Sequence, residues 1–530
     1  MSSATLTFDQ DVWKPKFNPW LIAVVVALGA FMEVLDTSIA NVALPYMAGS
    51  LAASNDQSTW VLTSYLVSNA IVLPISGWIA VRFGRKRFFM GCLAVFTVSS
   101  FLCGVAPNLG FLLLFRVLQG AGGGGLQPMA QAILADTFPP HQRGLAFALY
   151  GITAVMAPTI GPTLGGWITF NYSWRWIFYI NVPVGIITWL LVRRFVEDPP
   201  YLKRLKAAGV KLDYIGIALL AIGVGALQIL LDKGQEDDWF GSNFITTLVI
   251  VSSVCLIALV IWEWFQKAPI VDVHLFKAFN FASANVMMFM LGLSLFSSLV
   301  LMPQFLQTLL GYTSELAGLA LSAGGLILLF EMPLIGQLSR KIHARRLIAF
   351  GWLALSVAMF YSTRRIDLQM SFTAATWLRI AQVIGLGFLF VPINLSAYVG
   401  IAPEKNNAVA GIVNFMRNMG SSVGTSLVTT VIARRSQFHQ GRLVEQARVD
   451  NPNFANTVQG LTQHYANGGL GRHEASATAY ASIYRSIQAQ SASLAYIDMF
   501  KILAVCAAVM FCVSFFLKTN DLGGGPTIHE

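Results

Sequence analysis

The sequence predicts an all-α integral membrane protein with fourteen membrane-spanning helices, arranged as two six-helix halves with a helix pair inserted between them. Of the 530 residues, 55% are hydrophobic and 11% are charged, and the mean hydropathy is +0.63. Soluble domains carry about 25% charged residues. Fourteen apolar stretches are long enough to cross a bilayer as helices, and motifs of the first six return in the last six. These observations exclude a soluble globular protein.

The chain divides at its polar segments, and the charges of its loops predict its orientation. The predicted parts are a cytoplasmic amino terminus (1–19), an amino-terminal half (20–198), a cytoplasmic linker (199–212), an inserted helix pair (213–265), a carboxy-terminal half (266–517) with a long periplasmic loop (435–494), and a cytoplasmic tail (518–530). Basic residues concentrate in alternate loops, whereas the short loops opposite carry few, namely Arg175, Lys233, Arg364 and Arg365. The positive-inside rule therefore predicts that both termini are cytoplasmic.

The first span contains two carboxylates, Glu33 and Asp36, inside an otherwise apolar stretch. An ionisable group at membrane depth costs at least ~2.5–3.5 kcal/mol on insertion scales, so it faces a partner or a water-filled path. The carboxylates share a helix face with small and polar residues that include Asn41. This stripe predicts the lining of a cavity where protons bind. The alternative is a structural ion pair with a basic neighbour.

The loop between spans two and three is short and basic, and it includes Gly77, Arg82, Gly84 and Arg85. Glycines at such a turn allow helices to approach closely. We interpret it as a cytoplasmic gating loop, although a basic loop that only fixes the topology would have the same composition.

Three motifs recur at nearly constant spacing. Pro74-x-x-Gly77 returns as Pro333-x-x-Gly336, Arg116-x-x-Gln119 as Arg379-x-x-Gln382, and Gly161-x-x-x-Gly165 as Gly420-x-x-x-Gly424. Repeats of this kind are typical of the two halves of a secondary transporter.

Span four carries Arg116 and a glycine run from Gly120 to Gly125. Each glycine weakens a helix by roughly 1 kcal/mol, so close packing or a bend must compensate. Arg116 and Asp36 are predicted to lie at similar depth, which suggests a direct contact between them.

Span five is rich in proline and glycine, and its marked positions are Pro158, Gly161, Pro162, Gly165 and Gly166. Prolines free backbone hydrogen-bonding groups and glycines let a neighbouring helix approach. A helix that is merely kinked for packing is the alternative.

Further polar residues in the spans are candidates for lining a substrate cavity: Asn41, Gln119, Glu331, Asn394, Asn414 and Arg417. Glu331, Asn414 and Arg417 could equally be buried structural groups. The histidines show no metal-ligand spacing, so no metal site is expected. No phosphate-binding loop is present, which indicates that ATP is not the direct energy source. Residues 435–494 are either a flexible linker or a small helical docking element for a partner.

Several of these motifs resemble the major facilitator superfamily, and in particular its fourteen-span drug:proton antiporter branch. Leu35 to Pro45 resembles the first-helix signature of that branch, Phe115 to Gly120 the proton-linked motif of the fourth helix, and Gly151 to Gly166 the antiporter motif. One departure stands out, because Val81 occupies the place where the family usually has an acidic residue. The stabilisation that this residue would supply must come from elsewhere, and Asp136 is a candidate.

The resemblance implies export of varied hydrophobic compounds across the inner membrane by alternating access, driven by the proton motive force without a bound cofactor. It also implies a periplasmic adaptor and an outer-membrane channel as partners. Two other functions remain open from sequence: export of a single endogenous lipid, fatty acid or siderophore, and a membrane sensor that does not transport. Neither an enzymatic activity nor nucleic-acid binding is expected.

Overall fold

The computed structural model describes residues 15–200, 213–266, 269–448 and 450–517, and this part of the chain is almost entirely helical. The predicted cytoplasmic tail and most of the predicted amino terminus and linker lie outside the described residues. The helices are α1 (Pro19–Ser50), α2 (Asn55–Phe83), α3 (Arg85–Gly104), α4 (Leu109–Gly123), α5 (Leu126–Thr137), α6 (Pro140–Asn171), α7 (Trp176–Tyr179), α8 (Asn181–Phe195), α9 (Tyr214–Lys233), α10 (Asn243–Phe265), α11 (Phe279–Thr308), α12 (Ser314–Leu338), α13 (Ala344–Arg365), α14 (Phe372–Ala397), α15 (Asn406–Val444), α16 (Pro452–Asn467) and α17 (Arg472–Ser514).

In the described ranges, thirteen helices are long and apolar enough to cross a membrane, counting α4 with α5 and α7 with α8 as one each. The one predicted span outside this set is the thirteenth, which corresponds to α15; this helix is 39 residues long but carries several polar residues at buried positions. These polar residues face other helices instead of lipid, which explains why α15 is less apolar than its neighbours. The protein is therefore a multi-pass membrane protein.

The glycine run of span four produces a short interruption between α4 and α5. Gly124 and Gly125 keep right-handed helical dihedral angles, yet the chain departs from regular helix there. Gly123 lies where an added methyl group would be 3.2 Å from the Glu33 side chain. The run thus brings α4 close to α1 and α2.

The sequence repeats correspond to equivalent packing in the two halves. Gly161 and Gly165 of α6 pack on α1, and Gly420 and Gly424 of α15 pack on α11 in the same way. Across the halves, Gly77 of α2 meets α15. The inserted pair α9–α10 packs through α9 against α2 and α15, where Leu220 and Val224 join a small apolar cluster.

The two halves meet tightly at the end of the bundle that holds the basic loops at 82–87 and 340–346, which we call the basic end. A methyl group on Gly77 would lie 3.0 Å from the Asn407 carbonyl, and one on Gly336 would lie 3.0 Å from the Gly144 carbonyl. Asn406 also donates a 2.6 Å hydrogen bond to Asp136 of the other half. The backbones are therefore in contact, and the basic end is closed.

Residues 435–494 are mostly helical, whereas the sequence allows either a flexible linker or a small helical element there. Helix α15 continues to Val444, α16 spans Pro452–Asn467, and α17 begins at Arg472. Phe454 and Tyr480 bring α16 against α17, with ring centroids 6.3 Å apart. The described residues of this segment thus form a helical element, as one of the two alternatives expected.

Candidate functional site

Asp36 lies on α1 and accepts hydrogen bonds from three side chains of two other helices, α4 and α8. Arg116 of α4 forms a 2.7 Å ion pair with it, and Gln119 donates at 2.9 Å. Asn181 of α8 donates at 2.7 Å. The predicted contact between Asp36 and Arg116 is therefore present. Because a carboxylate can only accept hydrogen bonds, this arrangement suits an ionised Asp36.

Arg116 is completely buried and is held in place on several sides. Its Nε donates to the Val61 carbonyl at 3.1 Å, and its Nη1 also reaches Gln119 at 2.9 Å. The guanidinium carbon lies 4.3 Å from the centre of the Tyr65 ring, a cation–π distance. Its Nη2 has no hydrogen-bond partner among the described residues. The guanidinium is thus fixed in orientation, and its Nη2 could donate a further hydrogen bond.

Glu33 lies one turn before Asp36 and also accepts from three donors. Tyr65 and Asn69 of α2 donate to its Oε1 at 3.2 and 3.0 Å, and Gln127 of α5 donates to its Oε2. Both carboxylates are almost inaccessible, with exposed fractions of 3% for Glu33 and 2% for Asp36. Binding a proton at either position must therefore break or reverse an existing hydrogen bond.

A chain of buried side chains continues from Glu33 into the carboxy-terminal half. Arg417 of α15 donates to the Oε1 atom of Gln127, and Tyr150 of α6 donates to the same oxygen at 3.2 Å. Tyr150 also bonds Asn414 at 2.9 Å. Gln131 then joins Asn414, at 2.5 Å, to Asn394 of α14. The two halves are thus connected through polar groups at the centre of the protein.

The structure brings together most of the predicted site residues, but two lie apart. Asn41 is exposed on α1 and does not join the network. Glu331 is 7% exposed, and neither carboxylate oxygen has a hydrogen-bond partner among the described residues. It lies against Gly387 of α14, where a methyl group would be 2.6 Å from the carboxylate. Neither residue shares a hydrogen bond with Asn414 or Arg417 in the described structure, and their assignment to a substrate cavity stays a prediction.

The marked residues of α6 support α1 next to the carboxylates. Ser38 of α1 donates to the Pro158 carbonyl at 3.1 Å, and Gly161 and Gly165 lie directly against Ser38 and Ile39. Pro162 lies inside α6, and Gly166 has only an ordinary contact with Val42. The sequence predicts that a neighbouring helix approaches these glycines closely, and in the structure that helix is α1.

Two acidic residues, Asp136 and Asp198, contact the basic loop, in which Val81 stands where the family usually has an acidic residue. Asp136 forms a 2.6 Å ion pair with Arg85, and Asp198 accepts a 2.8 Å hydrogen bond from the Lys86 backbone at the start of α3. Gly84 adopts φ +93° beside Asp198. A carboxylate at a helix start is favourable because of the helix dipole. Arg82 points to an exposed position.

Sequence reasoning missed the polar residues that complete the site, which are Tyr65, Asn69, Gln127, Gln131, Tyr150 and Asn181. The available signal was the spacing of Gln127 and Gln131, which places two amides on one face of α5. No group of three or more His, Cys, Asp or Glu side chains that could hold a metal occurs in the described ranges.

Comparisons with known proteins agree with this architecture. The family model for the Major Facilitator Superfamily matches residues 26–425. The chain is 37% identical to the multidrug export protein EmrB of Escherichia coli K12, over 84% of this chain and 88% of that protein. It is 39% identical to the fatty acid resistance protein FarB of Neisseria gonorrhoeae, over 84% and 87% of the two chains. Among solved structures, the proton:xylose symporter XylE superposes with a TM-score of 0.58 at 15% identity, covering 94% of this chain and 96% of that one.

Proposed function

Because the chain belongs to the major facilitator superfamily, we propose that it exports structurally varied hydrophobic compounds in exchange for protons, by alternating access between its two halves. The observation that carries this proposal is the buried pair of carboxylates, Glu33 and Asp36, which lie one turn apart beside Arg116. Intramembrane carboxylates of this kind mark proton pathways in transporters. The similarity to EmrB, whose name describes multidrug export, supports the substrate class.

Each proton would act by changing the hydrogen bonds of a carboxylate. Protonation of Asp36 removes the charge that holds Arg116, and protonation of Glu33 turns an acceptor into a donor toward its neighbours. One proton moving down ~100 mV supplies roughly 2.3 kcal/mol, and one pH unit adds about 1.4 kcal/mol. This sum would sustain a several-hundredfold gradient of a neutral compound.

In this proposal the protein lies in a bacterial inner membrane, with the basic end and both termini in the cytoplasm. The positive-inside rule supports this orientation. The helical element formed by α16 and the adjoining ends of α15 and α17 would then project into the periplasm. It would offer a docking surface for a periplasmic adaptor, which leads to an outer-membrane channel.

A second candidate function is the export of one class of endogenous amphiphile, such as a fatty acid. The relative FarB, named for fatty acid resistance, favours it. Arg417 adds support, because this cation at the centre of the protein has no carboxylate ion-pair partner among the described residues. Growth of an efflux-deficient host on a panel of dyes, antibiotics and long-chain fatty acids would separate the two functions.

The proposal is tested in proteoliposomes with an imposed inward proton gradient. We expect gradient-dependent export of a hydrophobic fluorescent dye by the wild type and its loss in Asp36→Asn. Asp232→Asn is the matched control, because Asp232 is also a helix carboxylate but accepts its hydrogen bond from Thr63 and not from the residues that bond Glu33 or Asp36. Equal export by the wild type and Asp36→Asn would contradict a role for Asp36 in coupling. Absence of dye export with retained fatty acid export would favour the second function.

A further inference from the structure

The side-chain amide of Gln127 lies between a carboxylate of one half and a guanidinium of the other. Its Nε2 donates to Glu33 of α1, and its Oε1 accepts from Arg417 of α15. A carboxylate can only accept and a guanidinium can only donate. The two charged groups therefore fix the orientation of this amide.

We propose that Gln127 transmits the protonation state of Glu33 to the contact between the two halves. When Glu33 is ionised, the amide nitrogen turns toward it and the amide oxygen faces Arg417, so the halves are bonded. A protonated Glu33 presents an O–H donor, which an amide oxygen accepts. Rotation of the amide then points its N–H groups at Arg417, and two donors face each other. The bond between the halves is lost.

The inference rests on the proposed proton coupling and adds a direction to it. Protonation of Glu33 weakens the closed basic end, so a protonated carrier turns toward the cytoplasm, where it releases the proton. An ionised Glu33 restores the Gln127–Arg417 bond and favours the closed state seen here. This order is the one that an antiporter needs.

A neighbouring bridge shows why Gln127 differs from other amides in the site. Asn69 also donates to Glu33, at 3.0 Å, and accepts from Asn418 of α15 at 3.2 Å. Asn418 carries an amide, which can present either its oxygen or its nitrogen. If the Asn69 amide turns over, the Asn418 amide can turn as well, and the hydrogen bond between them is kept. The bridge through Gln127 cannot be kept in this way, because Arg417 has no acceptor.

Several charged or titratable groups surround Glu33 and belong to the same electrostatic environment. Among the described residues they are Asp36 on α1, Tyr65 on α2, Arg116 on α4, Tyr150 on α6 and Arg417 on α15. Among these, Tyr150 and Arg417 contact the Gln127 oxygen directly, and only Arg417 belongs to the other half. The proposed signal therefore passes through one amide group.

The test measures closure of the basic end as a function of pH, without relying on transport. Spin labels are attached at Phe83→Cys and Glu404→Cys, two exposed positions at the basic end in opposite halves. The more accessible native cysteines, Cys255, Cys506 and Cys512, are replaced by serine, while Cys92 and Cys103 are buried. Distances are recorded in nanodiscs at about pH 8 and about pH 5, because carboxyl groups in apolar surroundings titrate between these values.

The matched variants are Gln127→Leu and Gln131→Leu. Both amides lie on one face of α5 and both bridge the halves, but Gln131 bonds Asn414 and Asn394 and does not contact Glu33. We expect the label distance to increase on acidification in the wild type and in Gln131→Leu, and to be the same at both pH values in Gln127→Leu. Gln127→Met, which keeps the unbranched shape of glutamine, is expected to behave like Gln127→Leu and replaces it if the leucine variant does not fold.

Three results would overturn the inference: a pH response in Gln127→Leu equal to that of the wild type, an equal loss in Gln131→Leu, or no response in the wild type. Drug-induced proton release by the detergent-solubilised protein is measured in parallel. Its absence in the wild type would contradict the proposed function instead, so the two failures are distinguishable.

Discussion

Arg379 donates a 2.9 Å hydrogen bond to the hydroxyl group of Ser298, at the place where the amino-terminal half pairs Arg116 with Asp36. The correspondence extends to Gln382, which repeats Gln119 in the sequence and bonds Ser362. The carboxy-terminal half therefore keeps the arginine and the glutamine but has a hydroxyl in place of the carboxylate. In the proposed function, this asymmetry restricts proton binding at this position to the amino-terminal half.

Ser298→Ala is expected to destabilise the protein. Arg379 is fully buried, and its Nε and Nη2 atoms have no partner among the described residues, so Ser298 supplies its side-chain hydrogen bond. Leaving a buried donor unsatisfied costs about 1–3 kcal/mol. The measurement is thermal unfolding in detergent. Ser294→Ala is the control, because the buried Ser294 hydroxyl has no partner in the described structure. Equal melting temperatures for the two variants would contradict the assigned role.

Arg116→Met is expected to cost about 3–5 kcal/mol, because it leaves the Asp36 carboxylate buried without its ion-pair partner. The double variant Asp36→Asn/Arg116→Met should recover most of that loss while remaining inactive in proton-driven export. A double-mutant cycle on unfolding free energies gives the interaction energy. Additive effects within about 0.5 kcal/mol would show that the ion pair contributes nothing specific.

The outcome for this site shows which features a single sequence can predict. Asp36 and Arg116 were predicted to meet because charges inside apolar spans are rare and both lay at similar depth. The close approach of a neighbouring helix to Gly161 and Gly165 was also predicted, because glycines four residues apart lie on one face of a helix. The identity of that helix, α1, comes from the structure.

The inter-half network was not predicted, and the reason is physical. An amide such as Gln127 is uncharged, so its presence in an apolar helix does not require a partner of known sign. Its role depends on which residue of the other half lies opposite, and that is set by the packing of α5 against α15. Glu331 shows the converse, because its charge allowed either a functional site or a buried structural group, and its position against Gly387 leaves it without a hydrogen-bond partner among the described residues.

Gly336→Ala is expected to open the basic end. The added methyl group would lie 3.0 Å from both the Gly144 carbonyl and the Leu145 Cα, which are backbone atoms of the opposite half. Overpacking of this kind costs about 1–3 kcal/mol, and here separation of α6 from α12 relieves it. The distance between spin labels at Phe83→Cys and Glu404→Cys should increase, and export should fall. Gly91→Ala, where no atom lies within 4 Å of the added methyl group, should match the wild type in both assays.

Deletion of residues 451–468, which removes α16, is expected to abolish resistance in cells while leaving export in proteoliposomes unchanged. The helix has no buried residues, so its removal leaves the interior of the bundle intact. The comparison of minimum inhibitory concentration with liposome export separates partner docking from transport. A control variant that replaces Asn453, Gln459 and Gln463 with alanine keeps the helix and tests its exposed face. Full resistance after the deletion would exclude α16 from docking.

Helix α15 runs without interruption for 39 residues, from Asn406 at the contact with Gly77 to Val444. At 1.5 Å per residue, the distance from Asn407 to Val444 is about 56 Å. The hydrocarbon core is ~30 Å thick, so roughly half of this length lies outside it. In the proposed alternating access, the helix would tilt about its contact at the closed end of the bundle. A tilt of about 10° around that point would displace the tip by about 10 Å, given this length. A protein bound to the tip would therefore be displaced once in each transport cycle.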